Sequence, residues 1–405
     1  MEFDVIVIGG GAAGMFAAIA AGSRGKRVAL LERNDRLGKK LRITGKGRCN
    51  VTNDCTAEDF FRNVPRNSRF LFSAVTAFPP SQTKAFFEAH GCPLKTERGD
   101  RVFPVSDSAA SIQEALDRGL RQTKVKVIHG RATAIRAADG TVTGVETDQE
   151  VYWAPAVILA TGGCSYPATG STGDGYAMAE ALGHRIIQPV GSLVPLEAAG
   201  EDCPQMQGLS LRNVAVKLLN EKGKAVYRDF GELLFTHFGL SGPTILSTSA
   251  HMDKGGPYMI SIDMKPALDE GKLNDRLLRD LELYKNRAMI NALTDLLPRS
   301  MIPVILRRAG ISDELPANSL TKLQRRSIVE NVKDLRFSIT GKRPVAEAII
   351  TSGGVKVSEV DPKTMQSKLV SGLYFAGEIL DCDAYTGGFN LQIAWSTGFA
   401  AGRSV

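Results

Sequence analysis

Residues 3–14 read FDVIVIGGGAAG, and this stretch decides the fold class. Phe3 to Ile8 is a short β-branched apolar run, the composition of a strand covered on both faces of a parallel sheet. It passes directly into Gly9-Gly10-Gly11-Ala12-Ala13-Gly14. Residues 12–21, AAGMFAAIAA, are small and helix-compatible until Gly22-Ser23-Arg24-Gly25 stops them. A second strand, Arg27 to Leu31, finishes at Glu32. Strand, glycine turn, helix, strand and terminal acid together form the pattern of a dinucleotide-binding βαβ unit.

Each part has a physical task. Gly9 makes the tight turn, Gly11 lets the backbone approach a pyrophosphate, and Gly14 lets the helix pack close to the sheet. The helix start at Ala12 and Ala13 offers free N–H groups and the positive end of a dipole. Glu32 is suited to accept both ribose hydroxyls of an adenosine, and its charge repels a 2′-phosphate. The expected dinucleotide is therefore FAD or NAD rather than NADP. No second fingerprint follows: Gly170-Ser171-Thr172-Gly173-Asp174-Gly175 has the wrong spacing, and Gly353-Gly354 stands alone.

The 405 residues fit two or three domains, and 43% apolar with 23% charged residues is a globular composition. The apolar runs are strand-sized, so neither a signal peptide nor a membrane span is expected. Six cysteines, at 49, 55, 92, 164, 203 and 382, have no CxxC spacing, which argues against a disulfide scaffold or a zinc site and for a cytoplasmic protein. The net charge of +7 is concentrated. Arg33, Arg36, Lys39, Lys40, Arg42, Lys46 and Arg48 face only Asp35 within residues 33–48, a segment that is either a solvated loop or one turned to phosphate.

Glycine clusters recur far down the chain. Val157 to Ala160 is another buried-strand run, followed by Thr161-Gly162-Gly163, and Leu373-Tyr374-Phe375-Ala376 ends at Gly377-Glu378. Asp381, Asp383, Ala384, Tyr385, Thr386, Gly387, Gly388, Phe389 and Asn390 then precede a helix rich in small residues. With GKKLRITGKGRCNVTN at 38–53 and LLFTHFGLSGP at 233–243, this set resembles the BaiN-type, or YhiN-like, FAD-dependent oxidoreductases over the whole chain.

The resemblance implies a discontinuous Rossmann-like FAD-binding domain of α/β class over 1–190 and 346–405. It also implies a domain inserted over 191–345, β-barrel-like at 191–266 and 336–345 and helical at 267–335. It places Gly377-Glu378 against the ribityl and pyrophosphate part of FAD, and Gly387-Gly388-Phe389-Asn390-Leu391 beside the isoalloxazine. In the loop after the second strand, Arg33, Lys40, Gly45, Arg48, Cys49 and Asn50 become cofactor contacts, as do Ala132 beside adenine and Ala160, Thr161 and Gly162. None of the histidines, at 90, 129, 184, 237 and 251, lies in the 33–60 loop, so the FAD is expected to be noncovalent. Cys49 reads as a packing residue near the ring.

Within the insertion, Val214–Leu219, Leu233–Phe235 and Tyr258–Met264 read as strands. Leu277, Leu281, Tyr284 and Ala288 have helical spacing. So do Leu320, Leu323, Ile328, Val332 and Leu335, with an N-cap expected near Asn318 and Ser319. The insertion is expected to cover the open flavin face and to shape the pocket. The expected chemistry is a relay of hydride from NAD(P)H through flavin N5 to an unsaturated or carbonyl-containing apolar small molecule, with His237 or Tyr385 as proton donor. Two rivals are an RNA-modifying flavoprotein, less favoured because no broad basic face exists outside 33–48, and a flavin-binding sensor without turnover. Metal is not expected.

Overall fold

The computed structural model describes residues 2–252 and 256–405. The chain divides into two compact units, one made of residues 1–192 with 345–405 and the other of residues 193–344.

The first unit is built on a five-stranded parallel sheet. Its strands run in the order Leu373–Phe375, Ala156–Leu159, Val5–Ile8, Val28–Glu32, Lys126–His129. Val5 pairs with both Ala156 and Val28, so the N-terminal strand is central. All four of its residues are buried, as an apolar run without alternation requires when both faces are covered. Glycine turns at Gly9, Gly162 and Gly377 follow three neighbouring strands, and all three residues have φ above +70°. The carboxyl edge of the sheet is therefore made of backbone.

On one face, the helix Ala12–Gly22 lies against the C-terminal helix Phe389–Ser404. Their approach is set by glycine: a Cβ at Gly398 would stand 2.5 Å from the carbonyl oxygen of Ala13, and one at Gly402 2.3 Å from that of Ala17. Phe16 fills the adjoining space against Phe78, Phe86 and Trp395. Two three-stranded antiparallel sheets and the pair Ile186–Ser192 with Ile350–Val355 complete the unit.

The second unit is a closed six-stranded antiparallel barrel. Its strands are Leu196–Ala198, Gly239–Ser241, Ala225–Thr236, Ser210–Leu219, Tyr258–Asp263 and Leu335–Lys342. Val214, Val216 and Leu218 alternate inward with Ile260, Ile262, Phe235 and Phe337 in an apolar core, which leaves no sheet edge open. Between the last two strands lie the helices Glu270–Leu283, Met289–Ala292, Ile302–Arg308 and Lys322–Lys333.

The helical spacing expected in this region is corrected at its ends. Tyr284 is the residue at which the Glu270–Leu283 helix stops, and Ala288 caps the next helix. Asn318 and Ser319 form a short turn. The cap is Thr321, whose hydroxyl accepts from the Gln324 amide while the Gln324 side chain accepts from the Thr321 amide. Leu323 is exposed and Leu335 begins a barrel strand, because a cap three residues later rotates the buried face onto Ile328, Val329 and Val332.

Candidate functional site

The first glycine turn is an open cradle. A Cβ at Gly14 would lie 1.8 Å from the carbonyl oxygen of Gly9, whereas one at Gly11 would meet nothing within 4 Å. Gly14 is thus required by the fold, and Gly11 keeps a surface clear. The helix that follows is capped by the Gly11 backbone with no side chain and carries no acid in its first turn, so its N-terminal amides and dipole face outward unanswered. The Gly388-capped helix Phe389–Ser404 begins the same way.

Glu32 is buried at the end of the second strand. Its Oε2 accepts from the Gly10 amide at 2.8 Å, and its Oε1 accepts from the amide and side chain of Asn34, both at 2.7 Å. The three donors fix the carboxylate beside the glycine turn, and Oε2, which takes only one of them, keeps lone-pair capacity toward a ribose. Next to it, Asp174 binds Arg33 and Arg131 at 2.8 Å each. This ion pair gathers the end of the second strand, the residue before Ala132 and the helix Asp174–Ala181 at one corner.

A buried polar cluster lies farther along. Glu378 takes Lys40 Nζ at 2.7 Å on Oε2, and the Ser165 hydroxyl and Thr351 amide, both at 2.9 Å, on Oε1. Lys40 also donates to Ser165 at 2.6 Å. Burial pushes the Glu378 carboxyl up, but the Lys40 ammonium and the other donors outweigh it and hold the group below the usual carboxylate range.

The third zone surrounds Gly387-Gly388. A Cβ on Gly388 would stand 2.3 Å from the Thr52 carbonyl oxygen, and Asn53 Nδ2 donates to the Gly387 carbonyl at 3.0 Å. Gln392 is buried with a full set of partners: its oxygen accepts from Thr52 and Thr83, and its amide donates to Phe78 O and Ser396 Oγ. Trp395 Nε1 donates to Val51 O at 2.9 Å. These bonds clamp residues 50–53 onto the start of the C-terminal helix. Cys49 is buried at φ +62°, and burial pushes its thiol up to about 12, so it is a packing residue rather than a nucleophile.

Two polar atoms in this region are buried without a hydrogen-bond partner among the described residues, Thr161 Oγ1 after one glycine strand and Asn50 Oδ1 beside Cys49. Uncompensated polar atoms of this kind cost about 1–3 kcal/mol each. With the bare Gly11 surface and two uncapped helix starts, they fit a phosphate-bearing, hydrogen-bonding ligand such as a dinucleotide.

The sequence-derived residues distribute as follows. Gly9, Gly11, Ala12, Ala13, Gly14, Glu32, Ala160, Thr161, Gly162 and Gly377 gather at the sheet's carboxyl edge, where a Cβ on Gly377 would meet that of Ala13 at 2.7 Å. Gly45 opens the bend at 44–46, and a Cβ on it would crowd the Asn50 amide at 2.9 Å. Arg48 turns its guanidinium to Glu97 and Asp107, over the Phe103 ring. Ala132 is buried at the start of its strand. Phe389 packs on Phe60, and Leu391 lies partly buried in the same helix turn. Asn390 holds the backbone of Ala384 through both side-chain atoms. Tyr385 is half-buried in that loop, whereas His237 is exposed on a turn of the barrel unit. Ser165, Thr351, Gln392, Arg66, Asp381 and Asp383 are polar site residues that the sequence reading did not assign; only the two aspartates stood out, inside the 381–390 motif.

The family profile described as the HI0933-like protein Rossmann domain matches residues 3–404. The chain belongs to this family. Its fold is accordingly the Rossmann-type FAD-binding α/β fold with an inserted six-stranded barrel. The HI0933-like chain is 34% identical to the 3-dehydro-bile acid delta(4,6)-reductase of Clostridium scindens, with 98% of each covered. It is 30% identical to the ribosomal RNA dihydrouridine synthase of Escherichia coli, covering 100% of this chain and 98% of that protein. Among solved structures, it superimposes on a 3-ketosteroid-delta4-(5alpha)-dehydrogenase from Rhodococcus jostii with TM-score 0.52 at 16% identity, covering 100% and 96% of the two chains, a likeness of fold. It is an FAD-family oxidoreductase, and no helix among the described residues is long and apolar enough to cross a membrane.

Proposed function

We propose that this protein is a reductase, with noncovalent FAD, of carbon–carbon double bonds conjugated to a carbonyl. The observation that carries the reading is the cradle at the sheet's carboxyl edge, with its bare Gly11 surface and the unpartnered Thr161 and Asn50 oxygens. The names of the relatives supply the reaction class. A 3-dehydro-bile acid delta(4,6)-reductase and a dihydrouridine synthase both saturate a C=C bond in conjugation with C=O.

FAD, when bound, would supply two-electron reduction, with NADH or NADPH as the expected donor. The chain's own residues do the rest. Gly11, Ala12, Ala13 and Gly14 would give amide N–H groups to the pyrophosphate, and Glu32 would orient the ribose. The uncapped start of the Phe389–Ser404 helix favours negative charge on the ring. Lys40 and Glu378 neutralise each other, so neither adds net charge at that end.

For the acceptor, an apolar cyclic enone is the first reading. A uridine in ribosomal RNA is the second, favoured by Arg36, Arg42 and Lys46, which are exposed with no carboxylate partner among the described residues. Anaerobic titration of the flavin-loaded protein with NADH and NADPH, then mixing with 4-androstene-3,17-dione or unmodified ribosomal RNA, tests both readings. Bleaching by a nicotinamide and recovery of the yellow band by one acceptor is the expected result. Absence of bleaching removes the reductase reading and leaves a flavin-binding sensor. Recovery with RNA alone, weakened steeply by salt, selects the second acceptor.

A further inference from the structure

The helical part of the second unit holds a cleft of about 470 Å³, lined by Arg287, Ile290, Asn291, Thr294 and Arg299. Its wall is one short piece of chain laid over a packed core. Met289, Ala292, Leu293, Leu296 and Leu297, from the same stretch, are buried on the inner side. The backbone is tied to a neighbouring segment, since the Met289 amide donates to Leu315 O and the Ala317 amide to Arg287 O, both at 2.9 Å. Apolar residues thus fix the wall from behind, and the polar ones are left on the cleft.

The charge of the cleft is unbalanced. Arg287 lays its guanidinium over the Tyr284 ring, 4.4 Å from the centroid, which holds the group in place without neutralising it. Asp295, the acid that lies between the two arginines in sequence, accepts from the Tyr284 hydroxyl instead, and no carboxylate lines the cleft. Residues 285–326 hold eight bases against three acids, a second basic segment beyond 33–48. Lys285, Arg307, Arg308 and Arg326 are paired with Glu282, Asp202 and Glu330. Arg287 and Arg299 have no carboxylate partner among the described residues.

These side chains suit one kind of ligand. Guanidinium forks bind phosphate oxygens, and the Asn291 amide can meet a base edge or a sugar hydroxyl. Thr294 donates to Asn291 O at 3.0 Å and keeps its lone pairs for a sugar hydroxyl, while Ile290 offers apolar surface to a base. Arg287, Asn291 and Arg299 are exposed, so the cleft is open. Small-molecule sites bury roughly 70–90% of their ligand, whereas an open basic cleft suits a polymer that is held at other points as well.

We propose that this cleft binds the sugar–phosphate backbone of single-stranded RNA, with Arg287 and Arg299 on phosphates and Asn291 and Thr294 on the intervening nucleotide. The inference rests on the second acceptor reading above, a uridine in ribosomal RNA, and gives it a binding surface on the inserted unit.

Fluorescence anisotropy of a fluorescein-labelled single-stranded oligouridylate, titrated with the FAD-loaded protein at several salt concentrations, tests it. Arg287→Gln and Arg299→Gln should each weaken binding about 10-fold with an unchanged thermal melt. Together they should make the salt slope shallower by roughly 1.4, because each single-strand phosphate contact contributes about 0.7. Asn291→Glu, which sets a carboxylate between the arginines, should weaken binding at least as much, and Arg287→Lys should recover part of the loss. Arg279→Gln, exposed on the helix Glu270–Leu283 and outside the lining, should bind as the wild type does.

Unchanged binding in the Arg287 and Arg299 variants, or equal weakening by Arg279→Gln, overturns the proposal. So does displacement of the oligouridylate by inorganic phosphate or uridine 5′-monophosphate at equal phosphate concentration, which identifies a small-anion site. Failure here and failure of the acceptor reading are separable. RNA that binds through the cleft but does not reoxidise the reduced flavoprotein upholds the cleft and ends the RNA-acceptor reading. Reoxidation by ribosomal RNA with binding untouched by the variants does the reverse.

Discussion

The two ends of the site are made of different material. At the Gly9–Gly14 end the contacts are backbone and empty space, held in place by a sheet and one helix contiguous in sequence. At the Gly377–Asn390 end they are buried side chains drawn from five or more remote segments, such as Lys40, Ser165, Thr351 and Glu378. A backbone site tolerates no added atoms but needs no charge balance. A side-chain site tolerates small changes in shape and fails when one partner of a buried pair is lost.

That contrast can be broken from either side. The largest effect is expected from Gly14→Ala, whose new methyl carbon overlaps the Gly9 carbonyl oxygen, with loss of folded protein by thermal melt. A Cβ at Gly11 meets no protein atom within 4 Å, so Gly11→Leu should fold with a wild-type melt and purify without yellow colour. Wild-type flavin occupancy in Gly11→Leu would remove Gly11 from the pyrophosphate site.

Lys40→Met leaves the Glu378 carboxyl buried and unpaired, and should cost about 3 kcal/mol in urea unfolding near neutral pH. The sign of the pH dependence separates charge loss from packing loss. In the wild type Glu378 is held below the normal range, so its contribution is present above the unfolded-state value of about 4.3 and fades as pH falls through the folded value. In Lys40→Met burial acts without the ammonium, and stability should instead rise on acidification. A parallel pH profile in the two proteins would mean the pair contributes packing alone.

Asp383 has the opposite sign in the native chain. Its carboxyl is raised, so folding binds a proton that the unfolded chain releases near pH 3.9, and stability declines as pH rises from there through the folded value. Asp383→Asn should flatten that decline. The smallest effect belongs to the barrel unit: Thr321→Ala removes a capping box from a surface helix and should cost about 1 kcal/mol with flavin occupancy unchanged. A change in flavin content there would show that the two units are energetically coupled.

Much of the N-terminal end was legible because its physics is local. A strand, a glycine turn and a helix start are fixed by neighbours within a few residues, so FDVIVIGGGAAG and Glu32 can be read in order. What the sequence did not show is a pairing whose partner is distant. Lys40 and Arg48 were named as cofactor contacts, but not the pairing of Lys40 with Glu378, 338 positions away, nor that of Arg48 with Glu97 and Asp107. The Thr321 cap escaped because Asn318 and Ser319 are equally good capping residues by type, and the choice among them depends on which helix face the barrel buries.

The sequence by itself determined the βαβ unit, the glycine turns and the family to which the chain belongs, since these follow from short-range sterics and from a motif that spans the chain. Only the tertiary structure decided which polar side chains share a site, because burial converts an aspartate or a lysine from a solvated surface group into one whose charge must be matched. Asp381 and Asp383 are the same residue type two positions apart; their surroundings alone make one the partner of Arg66 and the other a carboxyl raised above its ordinary range.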